Sequence, residues 1–311
     1  MKIGFLFPGQ GSQSVGMGKD IYEQFEEVKK IYNKVYEITG IDIKKITFDG
    51  PEEELNLTKN TQLAILTMEL GILEVLKEKG INADISAGLS LGEYSALIYS
   101  GAISLEDGIR IVQKRGEYMQ NLVPEGEWMM SAIMGLEDNK VDEICEKTTK
   151  GFVVPANYNY KGQVVISGER EAVEEAMEIA KTEGAKRTIP LKTAGPFHTK
   201  KLVKASEALK EELKDININK FNSKVVKNID GKIYGENDDI REILAKHIIS
   251  SVKFSETLEV MKANGVDTYI EIGPGKTLSG FVKKSKMNED VKILNTSNLE
   301  SLLDVIGRKY E

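Results

Sequence analysis

The chain has 311 residues, 41% of them hydrophobic as in a soluble globular protein, and 42 Lys and Arg stand against 49 Asp and Glu for a formal net charge of −7. That length can bury a large core in one domain or two, and the acidic balance argues against a broad nucleic-acid partner. One cysteine excludes an internal disulfide, one Cys with two His leaves no structural metal site, and no apolar run reaches the ~20 residues of a membrane span, so a cytoplasmic protein off the membrane is expected.

Lys2-Ile3-Gly4-Phe5-Leu6-Phe7 reads as a buried strand without the layout of a signal peptide. It runs into Pro8-Gly9-Gln10-Gly11-Ser12-Gln13, which reads either as a tight turn or as a loop that brings main-chain N–H groups to a ligand. It lacks the Lys of a phosphate-binding loop, and G-x-G-x-x-G fails because position 14 is Ser. Amphipathic spacing predicts a helix over 21–39 and another over 62–79, the latter stopped by Gly80.

The stretch 83–101 is the most informative. Residues 83–89 read as a buried strand and 91–99 as a helix closed by Gly101. Between them stands Gly88-Leu89-Ser90-Leu91-Gly92, a G-x-S-x-G pattern. One reading is a helix N-cap serine after a tight turn. The other is a nucleophile on a strained elbow, with the Leu91 N–H at a helix start where it can meet an oxyanion. Ser104 then opens a helix in capping-box fashion, running to about 122 and carrying Arg110 and Arg115. Either arginine is solvated or forms a fork that grips a carboxylate.

Residues 124–192 change character. Pro124-Glu125-Gly126-Glu127 reads as a linker; strands are predicted at 128–134, 152–156, 163–167 and 185–191, and helices at 138–148 and 169–181. Asn157-Tyr158-Asn159-Tyr160-Lys161-Gly162 falls between the second and third strands. The order β-α-β-β-α-β is that of ferredoxin-like subdomains. The expected class is therefore α/β: a hydrolase-like parallel-sheet core made of 1–123 and 193–311, with 124–192 as an inserted ferredoxin-like subdomain. The chain returns through Thr193-Ala194-Gly195-Pro196-Phe197-His198-Thr199 into a Lys-rich helix. Asp230-Gly231 marks a turn, 240–249 and 255–264 read as helices, and 266–272 as a strand. Gly273-Pro274-Gly275-Lys276-Thr277 ends like a phosphate-binding loop but lacks its first glycine, so it reads as a strand-to-helix turn.

A serine nucleophile needs a base. His247 falls inside a helix beside Ile248 and Ile249, where a packed or solvated ring is the default. His198 lies in a Gly-Pro turn, a place from which side chains are presented, and is preferred on position. Ser90 before His198 follows the order of α/β-hydrolases, but no carboxylate is compelling as a third member, and a main-chain carbonyl can orient the ring instead.

Five motifs then occur in order: Phe-Pro-Gly-Gln-Gly-Ser-Gln at 7–13, Gly-Leu-Ser-Leu-Gly-Glu-Tyr-Ser-Ala-Leu at 88–97, Lys-Arg-Gly at 114–116, Gly-Pro-Phe-His at 195–198 and Glu-Ile-Gly-Pro-Gly-Lys at 271–276. Over nearly the whole chain this set resembles the malonyl-CoA:acyl-carrier-protein transacylases of type II fatty-acid synthesis. The resemblance implies ping-pong acyl transfer: Ser90 takes a malonyl group from malonyl-CoA, His198 acts as base, and the acceptor is the phosphopantetheine thiol of holo acyl carrier protein. It also implies an oxyanion hole from the N–H groups of Gln10 and Leu91, Arg115 on the malonyl carboxylate, and the carbonyl of His247 orienting the base. No metal and no resident cofactor are implied, coenzyme A and phosphopantetheine being parts of the substrates, and a monomer is expected. Leu89 stands where many members have His, and His247 where they have Gln; a main-chain acceptor survives the second change. Gly-Pro-Phe-His agrees with malonyl over methylmalonyl. The rival readings are another acyl-CoA as donor, a serine thioesterase or esterase on the same elbow, and a carrier-binding protein without catalysis.

Overall fold

The computed structural model describes residues 1–192, 195–285 and 290–308, so Thr193 and Ala194 of the predicted return turn lie outside the described residues. The strands among the described residues are Ile3–Phe7 (β1), Ile85–Gly88 (β2), Trp128–Met134 (β3), Val153–Tyr160 (β4), Gln163–Glu169 (β5), Arg187–Pro190 (β6), Lys224–Val226 (β7), Val252–Lys253 (β8), Thr268–Glu271 (β9) and Lys292–Asn295 (β10). They form two sheets.

The core sheet has the order β10-β9-β1-β2-β7 and is parallel throughout. Its central strands β1, β2 and β9 are buried at every residue, as parallel strands covered on both faces must be. The helix Thr58–Glu78 is buried nearly all round because it is packed between the helices Glu26–Thr39 and Leu105–Asn121. The predicted single helix over 21–39 is two, Lys19–Gln24 and Glu26–Thr39, parted by Phe25 in an extended conformation.

The second sheet has the order β6-β3-β5-β4-β8. Its first four strands come from the 124–192 segment and are antiparallel, in ferredoxin-like order. The fifth, β8, returns from the C-terminal part of the chain and pairs in parallel with β4 at Asn157 and Tyr158. The sheet therefore crosses the boundary at 192. The polar run 157–160, read as a connection, is strand: β4 extends to Tyr160, leaving only Lys161 and Gly162 at the turn. Asn157 and Asn159, two apart on one face, line a cleft, so their polarity reflects a wet surface and not a loop.

Where β2 meets the next helix, Gly92–Tyr99, the backbone leaves no room for side chains. A Cβ on Gly88 would sit 1.9 Å from the Gly92 carbonyl carbon, and one on Gly92 would sit 2.1 Å from the Phe7 carbonyl oxygen. Gly280, in the helix Thr277–Lys284, faces open space with an ordinary backbone. Gly92→Ala should lower the unfolding free energy by about 3 kcal/mol, whereas Gly280→Ala should raise it by about 0.4–1 kcal/mol. Urea unfolding of both variants measures the contrast; equal effects would contradict the crowding at the elbow.

Candidate active site

Ser90 sits on the turn between β2 and the helix Gly92–Tyr99 with φ 54°, and His198 has φ 59°. They are the only non-glycine residues with positive φ among the described residues, each held at a cost of ~1–3 kcal/mol by its surroundings. The strain brings them together: the Ser90 hydroxyl lies 2.8 Å from His198 Nε2. On the far side of the ring, Nδ1 lies 3.1 Å from the His247 carbonyl and 3.2 Å from the Ser250 carbonyl. Two acceptors there require a proton on Nδ1, which leaves Nε2 as the acceptor for the serine hydroxyl. Both carbonyls lie at or just beyond the C-terminal end of the helix Ile240–His247, where carbonyl groups lack intrahelical donors. Ser250 carries no signature in the sequence, since its contribution is main-chain.

Burial, and after it the Arg115 charge, hold the His198 pKa down to about 4, against the two carbonyls that raise it. The ring is only 4% exposed and is neutral at pH 7. The His247 side chain is also fully buried, its ring centroid 5.2 Å from that of His198 and its Nδ1 3.4 Å from Glu93 Oε2. Burial holds His247 neutral as well.

Arg115 departs most from its residue type. It projects from the helix Leu105–Asn121 and is 1% exposed. Its Nη1 donates to Gln62 Oε1 at 2.6 Å, its Nη2 donates to Ser90 Oγ at 3.0 Å, and its guanidinium lies over the Tyr94 ring at 5.3 Å. Nε has no partner, and no carboxylate among the described residues lies within ion-pairing distance. A buried cation left this way favours an incoming anion. Arg110, on the same helix, is 63% exposed in its side chain and lies 3.7 Å from Asp107. Gln62 was legible only as the first residue of a predicted helix; its orienting contact with Arg115 spans 53 residues and leaves no local pattern.

Gln10 lines the same cleft as Ser90, Arg115 and His198. The glycine-rich turn is pressed against the elbow: the Leu89 N–H donates to the Phe7 carbonyl at 2.9 Å, and a Cβ on Gly9 would meet the Leu89 carbonyl oxygen at 2.3 Å. Among the described residues neither the Gln10 nor the Leu91 N–H has an acceptor. Free N–H groups beside a nucleophile are what an oxyanion needs. The cleft encloses about 580 Å³ and runs between the sheets, with Met130, Ala132, Asn159 and Val165 contributed by the second. The Gly273–Gly275 turn leads from β9 into the helix Thr277–Lys284, as expected. Its helix start is no phosphate site, since the Glu271 carboxylate already accepts the N–H groups of Leu278 and Ser279 at 2.9 and 2.7 Å.

A parallel core sheet with a serine–histidine pair on a strand–turn–helix elbow defines a class, the α/β proteins with a serine site built for acyl chemistry. The comparisons are narrower. The acyl transferase domain family matches residues 4–296. The Malonyl CoA-acyl carrier protein transacylase of Bacillus subtilis is 45% identical over 97% of this chain and 95% of its own length, and that of Escherichia coli K12 is 41% identical over 91% and 92%. Among solved structures, the malonyl CoA-acyl carrier protein transacylase of Clostridium perfringens is 48% identical with a TM-score of 0.93, covering 98% of this chain and 96% of its own. A malonyl-transacylase in complex with its type II PKS acyl-carrier protein is 37% identical with a TM-score of 0.94, covering 98% and 99%. The chain belongs to the malonyl CoA-acyl carrier protein transacylase family.

A neutral buried imidazole sets a pH dependence for Ser90. Its reactivity toward a small serine-directed electrophile, such as a fluorophosphonate, should persist as pH falls through 6.5, where an ordinary histidine is half protonated. It should be lost only as pH nears about 4, where His198 takes up a proton. Labelling rates from pH 8 to 4 check this; a midpoint near 6.5 would contradict the depressed pKa.

Proposed function

We propose that the protein moves a malonyl group from malonyl-CoA to the phosphopantetheine thiol of acyl carrier protein for fatty-acid biosynthesis, through a malonyl ester on Ser90. The observation that carries this reading is the buried, carboxylate-free guanidinium of Arg115 placed 3.0 Å from Ser90 Oγ. An acyl group that ends in a carboxylate supplies the missing anion, and the same contact sets the distance from that carboxylate to the reacting carbonyl. Acetyl has nothing to offer Arg115. The names borne by the relatives agree with this donor and acceptor.

In the first half-reaction Ser90 Oγ attacks the thioester carbonyl and its proton passes to His198 Nε2. Negative charge grows on the carbonyl oxygen, which the N–H groups of Gln10 and Leu91 would receive. The intermediate collapses with loss of the coenzyme A thiolate, which takes the proton from the imidazolium. In the second half the carrier's thiol gives its proton to His198 and attacks the ester, and the proton returns to Ser90 as it leaves. Donor binding also tunes the base. The Arg115 charge is one cause of the low His198 pKa, and a malonyl carboxylate on Arg115 offsets that charge. Coenzyme A and phosphopantetheine act here as parts of substrates, and the protein works as a cytoplasmic monomer.

Intact mass after brief exposure to malonyl-CoA should show a malonyl adduct on Ser90 that moves to holo acyl carrier protein when the carrier is added. An adduct lost to water with the carrier unlabelled would instead identify a hydrolase, and Ser90→Ala should show no adduct. Arg115→Ala should lower kcat/KM for malonyl-CoA on the order of 10- to 100-fold, the worth of a charge-assisted hydrogen bond of ~1.5–3 kcal/mol, with little change for acetyl-CoA. Unchanged malonyl-over-acetyl preference would refute the assignment of Arg115.

A further inference from the structure

The elbow begins where its sheet partner ends. β2 and β7 pair as far as Ala87 opposite Val226, and the chain beyond β7 then turns away, with the Gly231 N–H returning to the Lys227 carbonyl. The strand ladder therefore cannot serve the Gly88 carbonyl or the Ser90 N–H. Both are served by one side chain. Asn228 donates from Nδ2 to the Gly88 carbonyl at 2.7 Å and accepts the Ser90 N–H on Oδ1 at 2.8 Å. A carboxamide carries the same donor and acceptor as a peptide unit, so Asn228 extends the ladder by one step with its side chain. Its two partners, one an obligate acceptor and one an obligate donor, fix which end is oxygen and which nitrogen.

Asn228 is itself held on both sides. It is fully buried; its N–H donates to Glu93 Oε2 at 3.0 Å, and its carbonyl accepts the Lys253 N–H at 2.7 Å. Glu93 lies three residues beyond Ser90 on the elbow helix, and its other oxygen accepts the Tyr234 hydroxyl at 2.5 Å. The connections close a ring: from Ser90 along the helix to Glu93, across to the Asn228 main chain, and back through the Asn228 side chain to the Ser90 N–H. The Asn228 side chain does not line the cleft.

We propose that Asn228 is a positioning residue for Ser90, holding the serine in its left-handed conformation so that Oγ stays on His198 Nε2. This rests on the reading of Ser90 as nucleophile. Without the brace, the strain at φ 54° is free to relax, and a modest rotation there carries Oγ off the imidazole. Misplacing a reacting atom by ~1 Å lowers rate by ~100-fold. Donor affinity is set elsewhere, by Arg115, Gln62 and the other cleft walls; of the residues lining the cleft Asn228 bonds Ser90 alone, through the Ser90 main-chain N–H.

The test separates rate from affinity. Asn228→Ala removes both side-chain bonds. Asn228→Asp keeps the volume and the acceptor for the Ser90 N–H but loses the amide donor to Gly88, and so serves if the alanine variant does not fold. Single-turnover acylation of Ser90 would be followed with malonyl-CoA and, separately, with a fluorophosphonate. Malonyl-CoA affinity would be measured by calorimetry in the Ser90→Ala background, with and without the change at Asn228. Acylation by both reagents should fall ~10- to 100-fold while affinity stays within about 3-fold. Acylation at the wild-type rate would overturn the proposal, and so would affinity falling in step with rate, which would make Asn228 a support of the whole cleft. If wild-type Ser90 reacts with the fluorophosphonate but not with malonyl-CoA, the donor reading fails and the Asn228 comparison stands on the fluorophosphonate. If it reacts with neither, the nucleophile reading and this proposal fail together.

Discussion

Everything in the site depends on how closely three backbones approach one another at the C-terminal ends of β1 and β2. The Leu89 N–H reaches the Phe7 carbonyl, Gly92 lies against that same carbonyl, Gly9 lies against the Leu89 carbonyl, and Gly88 packs on Gly92. Any side chain at Gly9, Gly88 or Gly92 would part these segments. The contact brings the N-terminal glycine-rich turn, with Gln10, to the elbow that carries Ser90. It also explains why the two motifs, 80 residues apart in the chain, act at one point: β1 and β2 are paired in register up to Phe7 and Gly88, and each motif starts where its strand stops. Ligand sites at the C-terminal ends of parallel strands follow from this geometry in general.

The electrostatics of the site are organised by burial. An imidazole and a guanidinium are both taken out of water beside one hydroxyl, and they respond differently. Histidine can shed its charge and does, which suits it to accept a proton. Arginine cannot, so its charge persists and stays short of a counterion until one arrives. A carboxylate placed permanently beside Arg115 would remove the driving force for an acidic acyl group and raise the basicity of His198 at rest. The Gln62 contact meets the hydrogen-bonding needs of Arg115 in part without neutralising it.

Much of this was legible in the chain, and the failures have physical causes. The elbow, its glycines and the β-α-β-β-α-β insert were readable because each is a local pattern set by strand and helix periodicity. The short strands β7 and β10, three and four residues long, gave no period to detect. Asn157 and Asn159 misled because polar residues on a cleft-facing strand look like a loop. Arg115 could be assigned only by resemblance, since nothing in its neighbours along the helix distinguishes it from Arg110, which is exposed. Gln62 and Asn228 carry no local pattern of this kind. Each acts on a residue far along the chain, and a long-range hydrogen bond leaves no trace in the sequence around either partner.

His247 serves the site through its main chain and not through its side chain. Its contribution to His198 comes from a carbonyl, which every amino acid has, and the Ser250 carbonyl shares the task. That contact does not need the side chain, but the side chain has consequences of its own, because it is fully buried against the His198 ring. A charged imidazole there would face Arg115 and His198 in a region with little water. The structure avoids this by keeping His247 neutral, with Glu93 as its nearest acid and the Glu93 pKa raised to about 7 by the same burial. Glu93 is thus constrained from two directions: it must accept from Asn228 and Tyr234, and it must sit beside a second imidazole without transferring charge onto it. The His198 ring is oriented by main-chain carbonyls and so does not depend on the His247 side chain, whose two ring nitrogens have no hydrogen-bond partner among the described residues and whose neighbouring acid, Glu93, lies outside the cleft.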